Sequence, residues 1–320
     1  MNSRRNFMKM AAAGSAAMIF PRLVFANAQT QRRFIFIVQR GAADGLGTVI
    51  PYAEPAYQRL RGALAMDAGA VTRLDGTFGL HPALAQVAKL YEGREALFVH
   101  AIASPYRDRS HFDGQNVLET GGAAPYQLKD GWLNRLVATL PGGKTQAVAI
   151  SPTVPLALRG RAEVSSYAPS ALRSVPDELM QRMEGLYAMD EQLHPAWMSA
   201  MQARSVAVPA KQDAGAMGTL AARFLSQPDG PRIAMLETGG WDTHSAQVPR
   251  LANQLKALDS MIAALRDGLA SVWSDTVIVI ATEFGRTATA NGTGGTDHGT
   301  ASVAMLLGGA IGLEREMKDR

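Results

Sequence analysis

The chain carries 320 residues, 47% of them hydrophobic and none of them cysteine, with a formal net charge of +4. That length and apolar share suffice for one large buried core, and the lack of thiols excludes disulfides, thiolate nucleophiles and cysteine-ligated zinc, so any metal must rest on Asp, Glu and His. Residues 1–28 hold Arg4, Arg5, Lys9 and Arg22 and no acid, which accounts for the whole excess charge and leaves no basic run of the kind a nucleic-acid partner requires.

Residues 1–28 read as an export leader. An Arg pair in SRRNFMK precedes the apolar stretch AAAGSAAMIF, and Ala26-Asn27-Ala28 supplies a small-x-small cleavage pattern. The apolar run is shorter than the roughly 20 residues of a bilayer-spanning helix, so no membrane anchor is expected once the leader is removed. The paired arginines resemble a twin-arginine signal, which makes the twin-arginine export machinery an expected partner and the periplasm or exterior the expected location.

Beyond the leader, apolar runs alternate with helical stretches. FIFIV (34–38) and ALFVHAIA (96–103) read as strands, with HPALAQVAKLYEG between them as an amphipathic helix. TQAVAIS (145–151), RIAMLE (232–237), TVIVIAT (276–282) and SVAMLLGG (302–309) are further strands, and residues 248–273 form a long helix joining the fourth to the fifth. Continuous apolar strands alternating with helices predict an α/β domain over 29–320, its central sheet mostly parallel with helices on both faces. Residues 152–230, rich in Pro, Ser and Arg, contain helical stretches at about 177–204 and 212–226 and read as a helical insertion or cap.

Ligands of open α/β sheets collect beyond the carboxyl ends of the strands, and there the chain places its acids and imidazoles. QRGAADG brings Asp44; SPYRDRSHFDG brings Arg109, Ser110 and His111; TGGWDTH brings Asp242 and His244; EFGRT brings Glu283 and Arg286; GTGGTDHGT brings Asp297 and His298. Carboxylates and imidazoles are the metal ligands open to a cysteine-free chain. Residues two apart on an extended chain point the same way, so Asp242 and His244 can face one ion. Each piece also has a plainer reading. Ser110 with Asp113 fits an N-cap box, Asp44-Gly45 fits a turn, and Glu283 with Arg286 fits a surface ion pair. His81 and His194 each precede Pro and read as structural, and His100 reads as a core histidine. No G-x-G-x-x-G follows the first strand, which argues against a nicotinamide or flavin oxidoreductase.

The motifs GAADGL, RSHFDGQNVLETGG, GWLNRL, TGGWDTH, TEFGRT and GTDHGTAS, in this order, resemble the exported bacterial family called domain of unknown function 1501, a branch of the alkaline phosphatase and sulfatase superfamily. The resemblance spans nearly all of residues 1–309. It implies an alkaline phosphatase-like sheet with one or two divalent ions (Zn, Mn, Ca or Mg) at the strand ends. Asp44 and Glu283 would then serve the ion beside the nucleophile. Asp242, His244 and His298 would serve the other, with Asp297 nearby. Ser110 would be the nucleophile, and Arg286 or Arg109 would clamp the oxygens of the transferred group.

The sequence departs from that pattern in three places. Glu283-Phe284 stands where superfamily members usually have Asp-His. The nucleophile usually lies nine residues before a Thr-Gly pair; here His111 has that spacing from Thr120-Gly121, and Ser110 is one residue off. Family members normally continue further past the GG of LLGG, whereas this sequence stops after IGLEREMKDR, so a late strand or helix of the family is expected to be missing. The expected function is an exported metal-dependent hydrolase of phosphate or sulfate esters, acting on an anionic ester or polymer. The alternative is a non-catalytic, metal-stabilised binding or structural protein of the same fold.

Overall fold

The structure, a computed structural model, describes residues 30–140, 146–168, 177–190, 193–206 and 213–311; the expected leader and residues 312–320 lie outside this set. In chain order the strands are β1 (Arg33–Gln39), β2 (Val49–Ile50), β3 (Thr72–Arg73), β4 (Gly79–Leu80), β5 (Ala96–Ile102), β6 (Ala147–Ala149), β7 (Ser165–Ser166), β8 (Ile233–Thr238), β9 (Thr276–Ala281), β10 (Arg286–Ala290), β11 (Thr296–His298) and β12 (Ser302–Leu307). The helices are α1 (Gly45–Thr48), α2 (Pro55–Arg61), α3 (Ala85–Glu92), α4 (His111–Thr120), α5 (Trp132–Val137), α6 (Asp177–Tyr187), α7 (Leu193–Val206), α8 (Ala214–Ser226) and α9 (Gln247–Gly268).

A seven-stranded sheet in the order β5-β12-β9-β1-β8-β6-β7 forms the centre. Strand β1 lies in its middle, parallel to β8 on one side and β9 on the other. Alternation along β1 divides the core. Ile35 and Ile37 enter one apolar cluster with side chains of α3, α8 and α9, whereas Phe36 and Val38 enter another with Leu133 and Val137 of α5. Both faces of the strand are therefore dry, which explains why its sequence is a continuous apolar run. Helix α9 joins β8 to β9 and buries Leu251, Leu255, Leu258, Ile262 and Leu265 along one stripe. No helix among the described residues is long and apolar enough to cross a membrane.

The sheet is mostly parallel with helices around it, as expected, with one strand reversed; the grouping of one helix differs from the expectation. Strand β12 runs antiparallel to both β9 and β5. The chain leaves β9 at the carboxyl edge, turns through the β10–β11 hairpin there, and enters β12 after only three residues. A parallel entry needs a crossover of a dozen residues or more. Helix α8, grouped by sequence with the insertion, buries Leu220, Ala221, Ala222, Phe224 and Leu225 in the main core. Within the same stretch, Ser165–Ser166 of β7 pairs in parallel with β6 at the sheet edge.

Candidate metal centre

The loops leaving β1, β8 and β9, the start of α4 and the end of β11 meet at one edge of the sheet. Gly41, just after β1, has φ +119° in the left-handed half of the map. A Cβ there would lie 2.6 Å from the backbone N of Asp242, so only glycine admits this contact between the β1 and β8 loops. In GGWDTH the side chains alternate. Trp241 is buried, its Nε1 donating to Thr238 Oγ1 at 3.0 Å, and buried Thr243 donates from Oγ1 to Gln247 Oε1 at 3.1 Å. Asp242 and His244 therefore face outward together.

They meet His111, the first residue of α4, and His298, the last of β11. His298 Nε2 lies 3.0 Å from His111 Nε2, 3.0 Å from His244 Nε2 and 3.4 Å from Asp242 Oδ1. Asp242 Oδ1 is 3.1 Å from His244 Nε2, and Asp242 Oδ2 is 3.7 Å from His111 Nε2. Ligands bound at roughly 2.0–2.1 Å around a tetrahedral ion sit about 3.3–3.4 Å from one another. The observed separations bracket that value.

The other ring nitrogens fix what these Nε2 atoms are. His111 Nδ1 is 2.7 Å from Glu283 Oε1, His244 Nδ1 is 3.2 Å from Asp297 Oδ1, and His298 Nδ1 is 3.1 Å from the Arg109 carbonyl oxygen. All three partners are acceptors, so each Nδ1 carries the hydrogen and each neutral ring turns an Nε2 lone pair into the cluster. The lone pairs of His111 and His244 each face that of His298 at 3.0 Å and repel it. One divalent cation would relieve this repulsion: His111, Asp242 and His298 hold their ligand atoms within 4.8 Å of one another, and His244 Nε2 lies 3.0 Å from His298 Nε2 and 3.1 Å from Asp242 Oδ1. Three imidazoles with one carboxylate suit a borderline-soft ion such as zinc, each ring oriented by an acceptor behind it.

The charges in the cluster shift these groups in directions that suit ligation by Asp242. Although partial burial opposes it, the hydrogen bond and charge of Arg286, helped by His244 and His111, hold the Asp242 carboxyl below the usual range. Burial likewise opposes ionisation of Glu283, but His111 and the backbone donors hold it low. His111 is raised by its hydrogen bond to Glu283, while burial and the neighbouring His111 lower His298.

Several residues expected at the site have other tasks. Asp44 is not in the cluster. It is buried, its oxygens accept from Arg61 at 2.6 and 2.8 Å, and Gln247 Nε2 donates to it at 2.6 Å. Glu283 and Arg286 are both buried and not paired with each other, which overturns the surface ion pair. Arg286 donates to the carbonyls of Gly41, Ala42, Trp241 and Thr296 and to Asp242. It ties the loops together and has no free edge for a ligand. Glu283 accepts from Gly41 N and Ala42 N at 2.8 and 3.1 Å and from His111. Ser110 precedes α4 without capping it, and Asp113 contacts Tyr106, so the capping box is absent. Asp297 stands behind His244, where Asn291 Nδ2 also donates to it at 3.0 Å. His111, which has the spacing expected of the nucleophile from Thr120-Gly121, turns its Nε2 into the cluster. His81 is buried and accepts from Ala83 N, and His100 stacks on Phe78 in β5, which gives both a place in packing.

Arg109 contributes its backbone. Its φ of +60° is left-handed, a conformation that costs a non-glycine residue about 1–2 kcal/mol and that aims its carbonyl at His298. Its side chain is exposed and has no hydrogen bond or ion pair among the described residues. Arg109→Gly is therefore expected to bind zinc within about threefold of the parent chain and to melt no lower, because glycine adopts this φ freely. A zinc titration with a thermal melt checks this; a marked loss of affinity would mean that the side chain, not the carbonyl, supports His298.

Fold and cluster together define a mixed α/β-sheet protein with an imidazole–carboxylate centre, suited to a divalent metal, at the carboxyl edge of its strands. The chain belongs to the family described as protein of unknown function (DUF1501), whose pattern matches residues 62–313. No curated protein matches it in sequence. Among solved structures it is similar to the zinc complex of the C-terminal periplasmic domain of EcEptC from Escherichia coli, at 10% identity and a TM-score of 0.46, covering 87% of this chain and 72% of that one. A protein in the alkaline phosphatase superfamily from Vibrio parahaemolyticus gives 12% identity and 0.46, covering 96% and 69%. The alkaline phosphatase of the Antarctic bacterium TAB5 gives 14% and 0.39, covering 86% and 91%.

Proposed function

We propose that this chain is an exported, metal-dependent hydrolase of phosphate or sulfate esters. The observation that carries the reading is the convergence of the His111, His244 and His298 Nε2 atoms with the Asp242 carboxylate at an open strand edge. A divalent ion bound there, zinc before manganese, calcium or magnesium given the nitrogen-rich set, polarises an ester oxygen and acidifies water. The chain's own residues do the rest. Glu283, Asp297 and the Arg109 carbonyl hold the three rings in register. The start of α4, which no side chain caps, presents free N–H groups and the positive end of its dipole beside the cluster. The exposed Arg109 guanidinium adds a second attraction for an anionic group. Export by the twin-arginine route belongs to this reading through the SRRNFMK motif.

The nucleophile in this reading is water. Ser110 Oγ makes no hydrogen bond among the described residues, so no base stands ready to take its proton. Ser110→Ala is expected to keep turnover within about threefold, as a substitution without partners does, and steady-state kinetics on the best ester of a panel measures it. Loss of turnover would restore Ser110 as nucleophile. The same idle hydroxyl also favours a second reading, a non-catalytic metal-stabilised protein. The deciding assay offers 4-nitrophenyl phosphate, bis(4-nitrophenyl) phosphate and 4-nitrophenyl sulfate to the zinc- or manganese-loaded chain and to Asp242→Ala. Release of nitrophenol that Asp242→Ala abolishes supports the hydrolase; no release from any ester, or release unchanged by the substitution, supports the other reading.

A further inference from the structure

We infer that the centre holds one metal ion, with His111 among its ligands and Glu283, Phe284 and Gly114 built as the mount for that ring. The inference rests on reading the cluster as a metal centre. The resemblance implies a second ion between Asp44 and Glu283, and the geometry does not fit one. Asp44 is closed by a bidentate contact with Arg61, at 2.6 and 2.8 Å, and by Gln247. Arg61 is itself buried, so a cation there would face a fixed positive charge in a poorly screened place. Glu283 Oε1 already takes Gly41 N, Ala42 N and His111 Nδ1, and Oε2 takes Thr282 Oγ1 at 3.0 Å.

The next residue completes the case. The Phe284 ring is buried and stacks on His111, centroids 5.0 Å apart at 29°, and forms a T-shaped pair with His298, centroids 5.1 Å apart at 61°. An apolar ring thus stands beside the imidazoles where a second ion would need a donor. Helix α4 makes room for it. A Cβ at Gly114 would lie 2.9 Å from Phe284 Cδ1 and 3.4 Å from Glu283 Cβ. Glycine inside a helix disfavours the helix, and here it is the feature that lets Phe284 reach His111. Glu283 and Phe284 are positioning residues. One fixes the tautomer of His111 and the other fixes its ring plane.

The test titrates the full chain with zinc alone, by calorimetry and by elemental analysis after dialysis, beside Glu283→Gln, Gly114→Ala and His111→Ala. The expected result is one equivalent in the parent chain. Glu283→Gln keeps one equivalent with affinity lowered about 10–100-fold, as for partners that orient a ligand. Gly114→Ala also weakens binding without touching a ligand, and His111→Ala weakens it more than Glu283→Gln. Two equivalents in the parent, falling to one in Glu283→Gln, would overturn the inference and leave the hydrolase reading standing. Unchanged affinity in His111→Ala would also overturn the inference. No zinc at all would overturn both readings. The parent stoichiometry needs no variant to fold.

Discussion

His298→Ala is expected to lower zinc affinity by more than about 100-fold, the upper end of what loss of a mere orienting partner costs. His298 is the hub of the cluster. Its Nε2 is the one nitrogen within 3.4 Å of His111, His244 and Asp242 alike. Its ring is held from behind by a backbone carbonyl, which no side-chain replacement elsewhere can remove. His81→Ala, removing a histidine that accepts only from Ala83 N, is the matched control and leaves zinc affinity unchanged. Competition with a zinc-binding dye measures both variants; equal affinities would mean that the imidazoles meet for reasons other than a metal.

The largest loss of stability is expected from a residue the sequence placed at the metal. Asp44→Ala leaves the buried Arg61 guanidinium without its counter-charge, and breaking a buried pair from one side costs about 3–5 kcal/mol. Arg61 Nε already lacks a partner, which leaves no alternative acceptor in reach. Replacing both residues by apolar side chains, Asp44→Leu with Arg61→Met, is expected to recover much of the loss. Zinc affinity in Asp44→Ala, measured well below its melting temperature, stays near that of the parent chain. Chemical denaturation of the three proteins checks the first two statements. A stable Asp44→Ala that no longer binds zinc would return Asp44 to the ligand set.

The parts legible in the sequence and the parts hidden from it separate on physical grounds. β1 and β8 are largely buried on both faces, and β9 is buried on one and half-buried on the other, so FIFIV, RIAMLE and TVIVIAT announce them as unbroken apolar runs. The hairpin β10–β11 does not announce itself, because RTATA and TDH are short and largely polar. The direction of β12 is likewise absent from its composition and follows from the three-residue link before it. Helix α8 did carry a signal: LAARFL is apolar on most sides, as suits a helix inside the core more than a cap.

At the site, the strand-end segments do meet, and Asp242, His244 and His298 come within 3.4 Å of one another. What a sequence does not carry is the far side of each ring. His111 looked like a neighbour of a nucleophile, and only the Glu283 carboxylate behind its Nδ1 turns its Nε2 inward. Asp44 looked like a ligand because nothing in QRGAADG points to Arg61 seventeen residues later, on the end of α2. The pair Glu283-Phe284, a departure when read as letters, becomes one mount for one ring.

Anomalous diffraction at the zinc absorption edge, from crystals of the full chain grown with zinc, tests the central claim most directly. A single peak within bonding distance of the Nε2 atoms of His111, His244 and His298 and of the Asp242 carboxylate is the predicted result. A folded chain whose crystals show no peak there, or show it between Asp44 and Glu283, would contradict it.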